Sequence, residues 1–399
     1  MLLRSSLASV ALVASFLQFS SLPASPQTPA LACRPSVTGP IIVDSHDQIR
    51  DASPKVEPPL TDTGGFGFAW PDTQMGVLKT GNEYKFFTSD GALHPKELWQ
   101  GEWVGNNKYG SITTTVGTLD NPLGTGNPQD VSISQNPDPA VNPNYPSYGY
   151  LGGGPVYQVP AGMAGAGNLL VTYHAELPNY ALLGLAASWD NGEHWTDLGE
   201  IVRLNQAYKP NGVFHEIGAD PLVLSPDGKY FYIYFPDWIA NTELTTHASV
   251  ARVLASSLLE AAFGSSHPHT VPFEKYFQGD WHLQPGIGGL SSDLNPNASP
   301  IETGYLDVHY NNYLKRYVMV MSNDTSFYYA ESIDGLNWTL PSPLGVYGPI
   351  AAYPSSVGLG DDPQVLGKTF YTYFTYIKAE NGGLPREHNS LQRLTITCQ

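Results

Sequence analysis

Histidine and carboxylate side chains crowd together at a few places in this chain, and their spacing limits what they can do. One dense group is "NGVFHEIGADPLVL" (211–224), where His215, Glu216 and Asp220 lead into an apolar run. In "VTYHAELP" (171–178), His174 and Glu176 stand two residues apart, so on an extended strand they share one face. Asp307 and His309 repeat that spacing in "GYLDVHY" (304–310), which is polar where a buried strand would be apolar. Asp72 follows an aromatic, glycine-rich run in "GGFGFAWPDTQMG" (64–76), and Tyr353, Asp361 and Asp362 lie in "AAYPSSVGLGDDPQVLG" (351–367). Two carboxyl groups whose surroundings push their pKa values apart can give and take a proton at one reacting centre. Each stretch also has a plain reading: Pro-Asp is a turn signature, and a polar strand end can simply face water. The chain has no H-E-x-x-H, no Cys ligand pair, no EF-hand loop, no G-x-S-x-G and no phosphate loop. No cofactor or metal is therefore expected, although its Asp- and Asn-rich loops are compatible with structural calcium.

Something must bring these residues together. Aromatics make up 12% of the 399 residues, charged residues only 14%, and there are 40 Gly and 34 Pro, a composition suited to short strands and tight turns. Aromatic-rich strands begin at residues 83, 169, 229, 316 and 369, a mean step of roughly 72. Two turns, "SWDNGEHW" (188–195) and "SIDGLNW" (332–338), place Ser, Asp, Gly and Trp alike and begin 144 residues apart, two such steps. Each unit reads as about four strands, for example "GADPLVL", "KYFYIYF", "SVARVLAS" and "FEKYF". A short helix is expected near 258–263, and the Asn-, Pro- and Gly-rich stretch 120–150 reads as a loop inserted over one face. Five such units predict an all-β, five-bladed β-propeller; the alternative is a two-sheet sandwich with long insertions. The only cysteines, Cys33 and Cys398, would join the two ends of the ring as a disulfide.

Residues 1–32 carry one Arg, an apolar run and small residues, the pattern of a secretory signal peptide with cleavage after Ala24 or Ala32. The domain division is then 1–32 signal peptide and 33–399 propeller, a secreted and monomeric protein. A formal net charge of −17 argues against nucleic acid or an anionic membrane as partner.

The turn "SWDNGEHW" resembles the Asp-box, S-x-D-x-G-x-x-W, of sialidases and other propellers. "SIDGLNW" is similar to the S-x-D-G-x-x-W turn of the five-bladed glycoside hydrolases of families 43, 62, 32 and 117, and "RYVMVMSNDTSFYYAESIDGLNWTLPSPL" has their cadence. Sialidases resemble six-bladed propellers with three carboxylate-gripping arginines, whereas this chain has eight arginines in all and no F-R-I-P-like stretch. The resemblance implies a secreted glycoside hydrolase acting on a polysaccharide or glycan, with a furanoside or other pentose polymer as one substrate class. It implies that Asp72 matches the family's base or nucleophile, and that Glu216 and Asp220 supply the acid and its pKa modulator, in either order. His174, Glu176, His215, Asp307, His309 and Tyr353 would bind substrate. The rival reading is a non-catalytic propeller that binds carbohydrate or protein.

Overall fold

The computed structural model describes residues 32–45, 73–89, 112–124, 129–177, 180–206, 217–218, 221–238, 246–294, 304–323, 325–348, 350–377 and 389–399. Asp72, His215, Glu216, Asp220 and residues 1–31 lie outside them. The described residues form five β-sheets. Strand β1 (Pro35–Ser45) is set aside until the end of the chain. Blade 1 comprises β2 (Gly76–Thr80), β3 (Glu83–Thr88), β4 (Ile112–Gly117) and β5 (Gln129–Val131). Blade 2 contains β6 (Ile133–Ser134), β7 (Tyr150–Gln158), β8 (Leu169–Leu177), β9 (Tyr180–Ser188) and β10 (Trp195–Val202), ordered β7-β8-β9-β10-β6. Blade 3 runs through β11 (Leu222–Leu224), β12 (Tyr230–Trp238), β13 (Thr246–Leu254), β14 (Glu274–Phe277) and β15 (Asp280–Pro285). Blade 4 runs through β16 (Tyr305–Asn311), β17 (Arg316–Ser322), β18 (Ser326–Ser332) and β19 (Ser342–Val346). Blade 5 has β20 (Ile350–Gly358), β21 (Thr369–Ile377) and β22 (Asn389–Cys398), and β1 returns to pair antiparallel with β22.

This is the five-bladed propeller that the sequence predicts. Cys33 and Cys398 are disulfide-bonded beside the β1–β22 seam. Among the described residues, no helix is long and apolar enough to cross a membrane. Two blades hold five strands rather than four. In blade 3 the Gln278–Gly279 turn, with φ of 51° and 86°, folds β15 back onto β14. The stretch 120–150 is not a loop over one face. Its β6 runs parallel to β10 on the outer edge of blade 2, and Asn136 and Asn142 donate to the backbone and carboxylate of buried Asp197. The expected short helix is present as Ala255–Leu259, continued by a π-helical turn, Glu260–Gly264.

Blade 2 shows why the strands read as almost continuously apolar. All nine residues of β9 are buried, because both faces of a blade are covered by its neighbours. Each side chain of Val, Leu or Phe size removed from water there contributes roughly 1.5–3 kcal/mol. The two Ser-Asp-Gly-Trp turns wedge blades together. Ser188 Oγ accepts from Gly192 N (2.8 Å) and Ser332 Oγ from Gly335 N (2.9 Å). Gly192 (φ 86°) and Gly335 (φ 77°) take the left-handed conformation. Trp195 then meets Phe87 of blade 1 edge-on, and Trp338 meets Tyr234 of blade 3 edge-on. The repeated turn is therefore an inter-blade wedge, used twice with the same hand.

Candidate active site

The inner strands β2, β7, β11, β16 and β20 surround the centre of the ring. Their starts face one mouth and their ends the other. At the first mouth the chain just after Asp72 is held on several sides. Thr73 Oγ1 accepts from Ser89 N (3.2 Å), and Met75 N donates to Ser355 Oγ of blade 5 (2.8 Å). Gln74 Nε2 donates to Leu306 O at 2.9 Å. Blade 4 is not a neighbour of blade 1, so this side chain reaches across the ring. Gly154 makes the approach of blade 2 possible: a Cβ there would stand 2.2 Å from Gln74 O and 2.3 Å from Thr73 Oγ1.

His174 and Glu176 sit on β8 at this same mouth, opposite Gly152 and Tyr150 of β7. The His174 ring lies 6.2 Å from that of Tyr150. Its Nδ1 is 2.7 Å from Ile217 O, and its Nε2 is 3.1 Å from Glu176 Oε1. A carbonyl oxygen only accepts, so Nδ1 carries hydrogen and the free lone pair or second proton of the imidazole faces the carboxylate. Ile217 is the chain neighbour of Glu216, so His174 fixes the lead-in to blade 3 next to that residue.

On β16, Asp307 and His309 again share a face. Asp307 Oδ2 accepts from Ser356 N of blade 5 at 2.6 Å, and Oδ1 is 3.0 Å from His309 Nε2. His309 Nδ1 is 3.0 Å from Gln364 O. Burial opposes the charge on His309, but Asp307 and the Gln364 carbonyl outweigh it and hold the imidazole pKa above its ordinary value. The Asp307 side chain is only 1% exposed, with both oxygens engaged. Tyr353 is buried, and its ring packs at a tilt against that of Tyr305, with centroids 4.4 Å apart. Its φ of 57° is an uncommon conformation for a bulky residue, at the bulge between Ala352 and Ser355. Asp361 lies instead in the β20–β21 connection, exposed and paired with Lys79 at 2.8 Å.

The described residues thus bring His174, Glu176 and Tyr353 to the first mouth. Asp307 sits deeper, between blades 4 and 5, and His309 points past it toward the second opening. Sequence reasoning passed over Gln74, Tyr150, Ser355 and Ser356. Gln74 had a signal, an amide just ahead of an apolar strand; the Ser356 backbone N–H has none. It also missed a buried pair in blade 3. Lys275 Nζ donates to Asp237 (2.9 Å) and to the carbonyls of Arg203 and Gly289. Burial pulls the Lys275 pKa down against the pull of Asp237, and the pair ties blade 3 to the end of blade 2. Among the described residues, no group of three His, Cys, Asp or Glu side chains is placed to hold a metal ion.

The fold and this mouth define a five-bladed β-propeller with a histidine- and carboxylate-lined opening. No protein-family model matches the chain, and no curated protein matches it in sequence. Solved structures do resemble it. Zg3597, a family 117 glycoside hydrolase of the marine bacterium Zobellia galactanivorans, is 12% identical, with 84% of this chain and 89% of that one covered at a TM-score of 0.49. The catalytic domain of the Coprinopsis cinerea family 62 α-L-arabinofuranosidase is 13% identical, with 93% and 98% covered at a TM-score of 0.47. The endo-1,5-α-L-arabinanase of Thermotoga petrophila is 10% identical, with 84% and 75% covered at a TM-score of 0.46. The likeness is one of chain path, and the chemistry has to be argued from this chain's own residues.

Proposed function

We propose that this protein is a secreted glycoside hydrolase acting on an extracellular polysaccharide or glycan, with furanosides and other pentose polymers as the favoured substrate class. The observation that carries the reading is the cross-bracing of the first mouth. Gln74 and Met75 fix the chain beside Asp72 to blades 4 and 5, and His174 fixes the chain beside Glu216. Acid–base hydrolysis needs two carboxyl groups held rigidly on either side of a glycosidic bond, roughly 5–10 Å apart. A ring-crossing hydrogen bond beside Asp72 and an inter-blade one beside Glu216 suit that demand.

In this reading Asp72 acts as base or nucleophile. Of Glu216 and Asp220, one protonates the leaving oxygen and the other tunes its pKa. Glu176, 14% exposed beside His174, accepts sugar hydroxyls. Tyr353 and His215 line the substrate, and the Asp307–His309 pair holds blades 4 and 5 in place around it. The Cys33–Cys398 disulfide suits an oxidising, extracellular setting.

The test is hydrolysis of a panel of plant, fungal and bacterial polysaccharides by the wild type, Asp72→Asn and Glu216→Gln. Sugar release by the wild type that falls by about 10²–10⁴-fold in both variants is expected. A correctly folded wild type that releases nothing from any polysaccharide would leave the carbohydrate-binding propeller as the better reading.

A further inference from the structure

At the far end of the ring lies a second opening. A partly open cavity of about 330 Å³ is lined there by the ends of three inner strands, β7, β11 and β16, and by the connection after β20. That volume is at the small end of ligand sites, which run from roughly 300 to 1,000 Å³. Three features of its lining say what fits.

The first is Tyr157 on β7. It is only 8% exposed, yet its hydroxyl makes no hydrogen bond among the described residues and borders the cavity. Burial, and then the Asp362 carboxylate, push its pKa up, so the phenol stays protonated and offers a donor. The Asn312 side-chain amide at the rim likewise makes no hydrogen bond among the described residues. The second is charge. Lys315 and Asp362 both line the cavity and cancel. His309 lines it too, with Nε2 facing Asp307 and Nδ1 facing Gln364 O. A phosphate, sulfate or uronate would find no surplus of positive charge. The third is the wall formed by Leu222 and Leu224, an apolar surface for C–H groups. Unspent neutral donors over an apolar wall, with balanced charge, match a ligand that has one apolar face and an edge of hydroxyls.

We propose that this second opening is a binding site for a single neutral sugar or small polyol unit, separate from the acid–base mouth. The proposal rests on the cavity's own lining and stands whether or not the first mouth hydrolyses glycans. Saturation-transfer NMR with L-arabinose, D-xylose, D-galactose and erythritol, and with D-glucuronate as the charged control, tests it. A saturable signal is expected from at least one neutral probe and not from glucuronate. Tyr157→Phe, which removes one hydroxyl, should weaken it by roughly 5–10-fold. Asn312→Trp, on an exposed turn, should fill the rim and remove one binding site while leaving polysaccharide hydrolysis at the first mouth unchanged. A folded wild type with no saturable neutral-sugar signal, a signal indifferent to both variants, or glucuronate binding as well as the neutral probes would each overturn the proposal.

Discussion

The two histidine–carboxylate pairs, His174–Glu176 and Asp307–His309, share one spacing in opposite order and turn their members in opposite directions. In blade 2 the histidine is the buried member (6% exposed) and Glu176 reaches outward (14%). In blade 4 the carboxylate is buried (1%) and His309 is the outer member (14%). Each imidazole spends Nδ1 on a backbone carbonyl of the next blade, Ile217 or Gln364. The difference lies in what the carboxylate does. Asp307 takes a backbone N–H from blade 5 and so acts as an inter-blade clamp. The Glu176 carboxylate keeps surface at the mouth. What the carboxylate bonds to, and not its spacing from the histidine, decides whether such a pair clamps two blades together.

The largest expected effect breaks the clamp. Asp307→Ala leaves the Ser356 N–H and a buried imidazole without their partner, and removing one member of a buried pair typically costs about 3–5 kcal/mol. Chemical denaturation should show that loss, whereas Glu176→Gln should change stability by less than about 1 kcal/mol. A comparable loss from both would erase the distinction. The next effect is on activity. If Glu176 grips substrate, Glu176→Gln should lower kcat/KM by about 10-fold or more, the worth of one charge-assisted hydrogen bond, in assays on whichever polysaccharide the panel identifies. A smaller effect is on pH. Because the folded pKa of His309 lies above its unfolded value, near 6.5, its contribution is complete below about pH 6.5 and fades as pH rises through the folded value. His309→Gln should flatten that alkaline decline in the unfolding midpoint. The smallest concerns the turn of blade 2. Slight burial raises the Asp190 pKa, but hydrogen bonds from His194 and Ser188 outweigh it and hold it at about 2. Its contribution is present above the unfolded value and fades as pH falls toward 2, so Asp190→Asn should soften acid unfolding only slightly, as seen in pH-dependent melting curves.

How much of this was legible in the sequence depended on range. The aromatic strands and the two wedge turns announce themselves locally, and their spacing gives the blade count. The i, i+2 pairs His174–Glu176 and Asp307–His309 were readable because strand alternation puts both members on one face. Their partners were not. The Ile217 carbonyl and the Ser356 N–H are backbone groups that any residue would supply, brought into place only by ring closure. The extra edge strand β6 was hidden for a related reason: two residues, Ile133 and Ser134, carry no periodicity to detect, and a long-range polar network around Asp197 holds the stretch that follows them.

The seam in blade 5 sets an order of events as the chain is made. β1 is synthesised among the first ordered segments, yet its partner β22 comes last, and the cysteines beside them are 365 residues apart in sequence. Until that strand leaves the ribosome, β1 has no edge to join, and blades 1 to 4 stand as an open arc whose ends are unsatisfied. Contacts of such long range are slow to form. A chain truncated by even the last ten residues would therefore lose more than a tail: it would lose the strand that turns the arc into a ring.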